Sequence, residues 1–416
     1  MLVYKKGYLG IFLLFRLSGT AWPHGVMPGL ISATVGLMLG LLKKVDVVLT
    51  DDTQFLVNPY PYQLFTYIVG FILVFRTNFG YARYWDGLDA VQRMGAKWLD
   101  GACMAIAFDA QADPFSQFLQ SSIVSASYRE TSTSSLDKKT AQNQGPDHAH
   151  FFEEVLHLFS LIHALAFQHL RCCPDLNDLQ QIPVPRRVSI GELKPTKTSS
   201  SSNLICNFSA KDRSQQSVPL KLPVLGGVTP EEFDVLEADS DGNIRSSLAR
   251  IAMVESWIMR RLTARQKHEP AGDMGKTSAP ILSRMVQVLS DGHLAFSQAA
   301  KVAEAPFPFP YHNILSIFLW MFACFTPFMV NANLINIPAR FVVNFIAVWA
   351  YFSLSEVGDN LEDPYLAYDP NDLPLEALHQ SFNARLMAFG VVPSSEGLQA
   401  QESAPVENGN GNGCGG

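Results

Sequence analysis

Four apolar stretches, each close to the length that crosses a bilayer, constrain this 416-residue chain more than any other feature. A span of roughly 20 helical residues covers the hydrocarbon. The first stretch lies between Arg16 and Lys43, with His24 its only titratable group. The second lies between Asp52 and Arg76, and Pro59 and Pro61 fix where it begins, since proline suits a helix start but not its interior. The third follows Glu304 and carries no formal charge until Arg340. The fourth, "FVVNFIAVWAYFSLS", is shorter and ends at Glu356, so it spans only with help from "LINIPA" or by tilting inside a bundle. This pattern predicts an all-α membrane protein with segments near 22–42, 60–82, 312–332 and 336–356.

Basic flanks set the expected orientation. Lys5, Lys6 and Arg16 precede the first segment, and Arg76, Arg83, Arg93 and Lys97 follow the second. The loop between them holds Lys43 and Lys44 together with Asp46, Asp51 and Asp52. Counting Lys and Arg alone, the N-terminus and the long middle of the chain share the inner side. Residues 1–15 have a basic start and an apolar run but no small-residue cleavage site, and no Ser- and Arg-rich transit peptide is evident. Either the chain inserts by its own first helix or an upstream extension precedes it.

The middle, residues 86–304, has no spanning candidate and reads as an inner aqueous domain. "FFEEVLHLFSLIHALAFQHLR" (Phe151 to Arg171) and "GNIRSSLARIAMVESWIMRRL" repeat apolar residues at helical spacing and predict amphipathic helices. Polar, serine-rich stretches near 121–150 and 195–218 predict disordered insertions, and residues 391–416 a low-complexity tail. Net charge is -7 and the basic residues are scattered, which excludes a nucleic-acid footprint. Six cysteines without CxxC spacing read as reduced thiols, with neither a zinc site nor a disulfide framework.

Several motifs fail on inspection. "DSDGN" (Asp239 to Asn243) starts like a calcium loop, but the sixth and twelfth positions hold Ile244 and Arg250 where glycine and glutamate are needed. It reads instead as a helix-entry turn. His157, His163 and His169 are six residues apart, so successive rings diverge by roughly 120° around a helix. They predict no metal site. Asn207-Phe-Ser is a formal glycosylation acceptor on the expected inner side. No nucleophile elbow, phosphate loop or paired-carboxylate site appears, so no enzyme is expected.

Within the second stretch, Tyr67, Phe71, Phe75 and Phe79 fall four residues apart, and Arg76 and Arg83 follow where the helix should leave the membrane. The run "LVFRTNFGYARYWDGLDAVQRMGAKW" resembles the bestrophin family of anion channels, in character nearest the bacterial and plant-plastid branch. Two later blocks resemble the family in the same order. One is the proline/aromatic lead-in to the third segment, Pro306-Phe-Pro-Phe-Pro-Tyr311. The other is the closing stretch "GDNLEDPYLAYDPNDLPLEAL" (Gly358 to Leu378).

The resemblance implies a homopentamer around a central pore, with four membrane segments and a helical inner domain in each subunit. It implies a passive chloride or anion channel whose partners are inorganic anions (chloride, with bicarbonate and nitrate as further candidates) and membrane lipid. Its narrow neck falls on Tyr67, Phe71 and Phe75, with Tyr67 departing from the family pattern by its hydroxyl. Aromatic edges carry partial positive charge that can face an anion. The bland alternative is that these rings meet lipid or a neighbouring helix. Arg76, Asn78 and Arg83 read as the inner mouth of the pore or as anchors, and Ala305 and Phe307 as candidates for a second constriction. Animal relatives bind calcium through an acidic cluster after a Pro-Phe-Gly step. Here that step reads Pro364-Tyr365-Leu366, followed by Ala367 and Tyr368, so the clasp is incomplete and no cofactor is expected. Two alternatives stand beside the channel of an unassigned plasma or organelle membrane. One is a plastid or thylakoid channel passing bicarbonate or chloride, and the other a non-conducting membrane scaffold.

Overall fold

The computed structural model describes residues 19–44, 58–109, 145–173, 175–182, 220–238, 244–268, 277–305, 307–366 and 370–389. Helix α1 (Trp22–Lys44) and the long α2 (Tyr60–Phe108) come first, followed by α3 (Gly145–Leu170). Two short strands, β1 (Leu179–Ile182) and β2 (Leu222–Leu225), precede α4 (Pro230–Glu237), α5 (Ser247–His268) and α6 (Ala279–Glu304). Helices α7 (Phe309–Asn333), α8 (Ile337–Glu362) and α9 (Leu375–Ala388) complete the described chain.

Among the described residues four helices, α1, α2, α7 and α8, are long and apolar enough to cross a membrane. Helix α2 does not stop at the membrane boundary expected near residue 82. It runs for 49 residues, about 74 Å at 1.5 Å per residue, straight into the inner domain. Proline occurs only in its first turn and nothing inside it breaks the backbone hydrogen bonds, so membrane segment and inner domain share one rigid rod. Helix α8, the shortest apolar stretch in the sequence, extends to Glu362, because its last turns pack on α2 rather than on lipid.

Small residues bring α1 and α8 together. Gly25, Gly29, Gly36 and Gly40 share one face of α1, with the fully buried Ala33 among them. A β-carbon on Gly25 would lie 2.5 Å from the Trp349 carbonyl oxygen, and one on Gly36 would lie 2.1 Å from Nδ2 of Asn344. Only hydrogen fits there. In lipid such close backbone approach, rather than a hydrophobic driving force, holds helices together. Asn331 adds a polar tie by donating to the carbonyls of Gly36 and Pro327, at 2.8 and 2.9 Å, where Pro327 interrupts α7.

The inner domain is organised around α3, whose residues from Phe151 to Leu170 are buried on nearly every side. The helix expected there is present, but it is a central core helix rather than an amphipathic one. Its polar residues meet neighbouring elements rather than water, as His157 meets Glu232 and Ser160 meets Asn383. It begins at Gly145, so Gly145–His150 are helical although they were expected to close a disordered insertion. The rest of both insertions, Asn207, Asp239 to Asn243 and the tail lie outside the described residues. Helix α5 does show the expected single apolar face, with Ile251, Val254, Ile258 and Leu262 buried. Helix α6 packs along the inner half of α2, and its Gly292 lies against the fully buried Trp98 indole.

Strands β1 and β2 pair in parallel, Leu179 opposite Leu222 through Ile182 opposite Leu225. This sheet, with an isolated bridge between Ala238 and Ile244, is a small departure from the all-α expectation. Two strands alone are marginal in water. Here β2 is wholly buried, and the Leu225 amide donates to Ser160 Oγ on α3 at 3.1 Å.

Candidate functional site

Along its membrane half, α2 separates two faces sharply. Val69, Leu73, Arg76, Gly80 and Tyr84 are buried against the rest of the chain. On the other face Tyr67, Phe71 and Phe75 are 76%, 65% and 43% exposed. Helical spacing of four puts these three rings on one stripe, with Asn78, also exposed, continuing it. The Phe71 and Phe75 rings touch edge to face, with centroids 4.6 Å apart and planes at 78°. Edge-to-face contact is a favoured geometry for an aromatic pair.

Three tyrosines fix the buried face. The hydroxyls of Tyr62 and Thr326 are 2.7 Å apart, Tyr311 donates to the Ile72 carbonyl at 2.9 Å, and Tyr351 donates to that of Thr66 at 3.3 Å. Phe65 and Phe318 add an edge-to-face contact at 5.9 Å.

The two arginines that follow the aromatic row both turn toward the rest of the chain. Arg76 is 3% exposed and forms ion pairs with Asp359 and Glu362 near the end of α8. Its guanidinium also lies over the Phe307 ring, 5.8 Å from the centroid. Arg83 donates to three backbone carbonyls: Ala305 at 2.8 Å, Val302 at 2.9 Å and Glu362 at 3.1 Å. Those carbonyls close the C-terminal ends of α6 and α8, where a cation is favoured by both hydrogen bonding and the helix dipole. These are anchoring contacts. Neither guanidinium lies on the exposed stripe, which leaves Asn78 alone of the three on that face.

Phe307, one of two candidates for a second constriction, lies beside Arg76 and Phe79 of α2. Its ring lies 6.4 Å from Phe79 and 5.3 Å from Tyr311, and its amide donates to Glu362 Oε1 at 3.2 Å. Ala305 caps α6 and is exposed, its amide donating to the Lys301 carbonyl. Pro306 between them lies outside the described residues.

The turn after α8 closes onto α2. Leu373 N donates to the Pro364 carbonyl at 2.8 Å, and Tyr84 donates to that of Asn371 at 3.1 Å. The Tyr365 hydroxyl donates to the Gly87 carbonyl at 3.1 Å. A β-carbon on Gly87 would stand 2.9 Å from that oxygen. Burial pushes the Tyr365 phenol well above its usual range. Ala367 to Asp369, where the calcium clasp would be densest, lie outside the described residues.

The three histidines of α3 go to separate neighbours. His157 Nδ1 is 2.7 Å from the Leu225 carbonyl, and its Nε2 is 3.1 Å from Glu232. Burial disfavours its charge, but the Glu232 carboxylate outweighs this and holds it above the ordinary histidine value. His169 contacts Ser247 and Glu304, and burial, opposed by Glu304, keeps it low. His163 meets His379 of α9, Nδ1 to Nδ1 at 2.8 Å, with both rings buried. No group of three or more potential metal ligands occurs among the described residues.

The sequence carries no local signal for the His163–His379 pair, whose members are 216 residues apart, nor for the choice of Asp359 and Glu362 as partners of Arg76. Helix α6 did have one. Its Pro280 start and buried Leu282, Met285, Leu289, Phe296 and Ala300 follow helical spacing.

Sequence and structure comparisons agree with this architecture. The sequence model described as Bacterial/Fungal Bestrophin protein matches residues 219–388. A voltage-dependent anion channel-forming protein of Synechocystis sp. is 27% identical over 130 residues, 31% of this chain. A protein of the same description from Salmonella typhi is 27% identical over 116 residues, 27% of this chain. The matches span 39% and 36% of those relatives' lengths. A crystal structure of a bacterial bestrophin homolog from Klebsiella pneumoniae has a TM-score of 0.53 at 13% identity, covering 88% of this chain and 97% of that one. At that identity the likeness concerns the fold.

Proposed function

We propose that the chain is a bestrophin-family member and a passive anion channel whose pore follows the exposed stripe of α2. The supporting observation is the row Tyr67, Phe71 and Phe75, exposed while the opposite face of the same helix is tightly packed. Large apolar residues are also exposed on α1, α7 and α8, where lipid covers them, so it is the family resemblance that turns the α2 row toward an axis. In a ring of subunits, five by that resemblance, the three aromatics converge on the axis. Apolar rings there set a constriction that wets and dewets, and that passes anions weakly enough to release them. Larger, more easily dehydrated anions such as nitrate then cross more readily than chloride. Relatives of this family carry the description of anion channel-forming proteins, which supports the choice of ion.

Arg76 belongs in this reading to the scaffold. Its ion pairs with α8 fix the inner end of the neck, so its charge is spent inside the subunit. The acidic residues Asp359 and Glu362, upstream of the position where animal relatives bind calcium, are engaged by Arg76. With Ala367 and Tyr368 in place of acidic ligands in the sequence, the pore in this reading opens without calcium.

Single-channel recording of the purified protein in planar bilayers tests this. Truncating a neck ring widens an apolar constriction, so Phe71→Ala raises unitary anion conductance severalfold, roughly the effect of removing 1 kcal/mol from a barrier. Absence of current from wild type, or an unchanged conductance in Phe71→Ala, contradicts the channel or its neck respectively.

A further inference from the structure

Inside the aqueous domain the exposed stripe of α2 continues unbroken and changes character from aromatic to charged. Asp89 follows Phe71 by 18 residues and Arg93 follows Phe75 by 18, which is five whole turns, so each lies on the same azimuth about 27 Å further along the rod. The two side chains are 64% and 52% exposed and form an ion pair one turn apart. Acid four residues before base is the favourable order on a helix. Asp86 and Asp100 are exposed near the same stripe, while Lys97 turns aside to Asp291 of α6 at 3.1 Å. Arg93 is therefore the cation that this part of the stripe keeps among three aspartates.

We propose that Asp89 and Arg93 form the charge filter of the inner vestibule, where Arg93 offsets Asp89 and so sets the balance between anions and cations reaching the neck. The proposal rests on the pore reading above. An exposed ion pair of this kind adds about 0.5 kcal/mol or less to stability, so it has little structural role to explain it. Its effect on ions is larger, because every subunit contributes a copy and charges lining a low-dielectric cavity raise or lower the local ion concentration. Removing Arg93 leaves bare aspartates that repel anions and collect cations. Removing Asp89 does the reverse.

The test measures reversal potentials in asymmetric sodium chloride, in planar bilayers, for wild type, Asp89→Asn, Arg93→Gln and the double variant. Arg93→Gln lowers the chloride-to-sodium permeability ratio by roughly twofold or more, Asp89→Asn raises it by a similar factor, and the double variant returns it toward wild type. In 1 M salt, where the screening length is about 3 Å, the three differences shrink. The proposal is overturned if both single variants keep the wild-type ratio, or move it in the same direction, while Phe71→Ala still alters conductance. Failure of Phe71→Ala as well points instead to the pore reading itself.

Discussion

Burial of Arg76 takes a full positive charge off the face of α2 that carries the aromatic row. A guanidinium without partners inside a helical bundle is costly, and Asp359 and Glu362 offset that cost from the neighbouring helix. The His163–His379 pair shows the same economy in uncharged form. The Pro223 carbonyl, 2.8 Å from His379 Nε2, can only accept, so His379 carries its proton there and accepts from His163 at Nδ1. Both rings are then neutral. Burial, partly opposed by the Pro223 carbonyl, lowers His379 to about 4, and burial together with the His379 ring holds His163 well below its ordinary value. The unfolded chain, with histidines near 6.5, binds more protons in this window. Stability from the pair is complete above about pH 6.5 and falls as pH drops toward 4, by about 3 kcal/mol for His379 alone. His157 and His293, raised by Glu232 and Glu255, have the opposite slope, and their contribution fades as pH rises through their folded values. Thermal unfolding in detergent from pH 7.5 to 4 is expected to show the acid loss in wild type and a shallower one in the double variant His163→Phe/His379→Leu. Equal slopes would rule out the pair as the cause.

At the level of elements, the seam between α1 and α8 depends on glycine more than on side-chain packing. Gly25→Ala places a methyl 2.4 Å from Ser353 Oγ and 2.5 Å from a backbone carbonyl, and a carbonyl inside a helix cannot move aside. Such overpacking costs about 1–3 kcal/mol. The variant should lower the melting temperature in detergent, whereas alanine at an exposed site such as Leu42 should not. An unchanged melting temperature in Gly25→Ala would mean that α1 and α8 sit further apart than described. The sequence reveals the four spans because each is an apolar run whose length the bilayer dictates. It reveals less of the inner domain, because burial there is decided between distant segments. Phe151 to Leu170 carries enough polar residues, including Glu153, Glu154, His157 and Ser160, to look amphipathic, yet Ser160 is satisfied by Asn383 of α9 and by the Leu225 amide. The continuity of α2 past residue 82 was hidden for a similar reason. Nothing local distinguishes a helix that ends at the membrane from one that continues along α6.

Over the whole molecule, α2 is one continuous helix from Tyr60 to Phe108. The membrane half of α2 carries the aromatic row, and its inner half carries the charged continuation. Arg76 and Arg83 pin the junction to the ends of α6 and α8. The aromatic row was legible in sequence through its four-residue spacing. The destination of the arginines was not, since a basic residue after a span suits an anchor and a pore mouth equally well. The central claim is that this stripe conducts anions. The most direct measurement is the reversal potential of wild-type protein in a bilayer separating unequal concentrations of sodium chloride. A value close to the chloride equilibrium potential is expected, and a value close to that of sodium would contradict anion conduction.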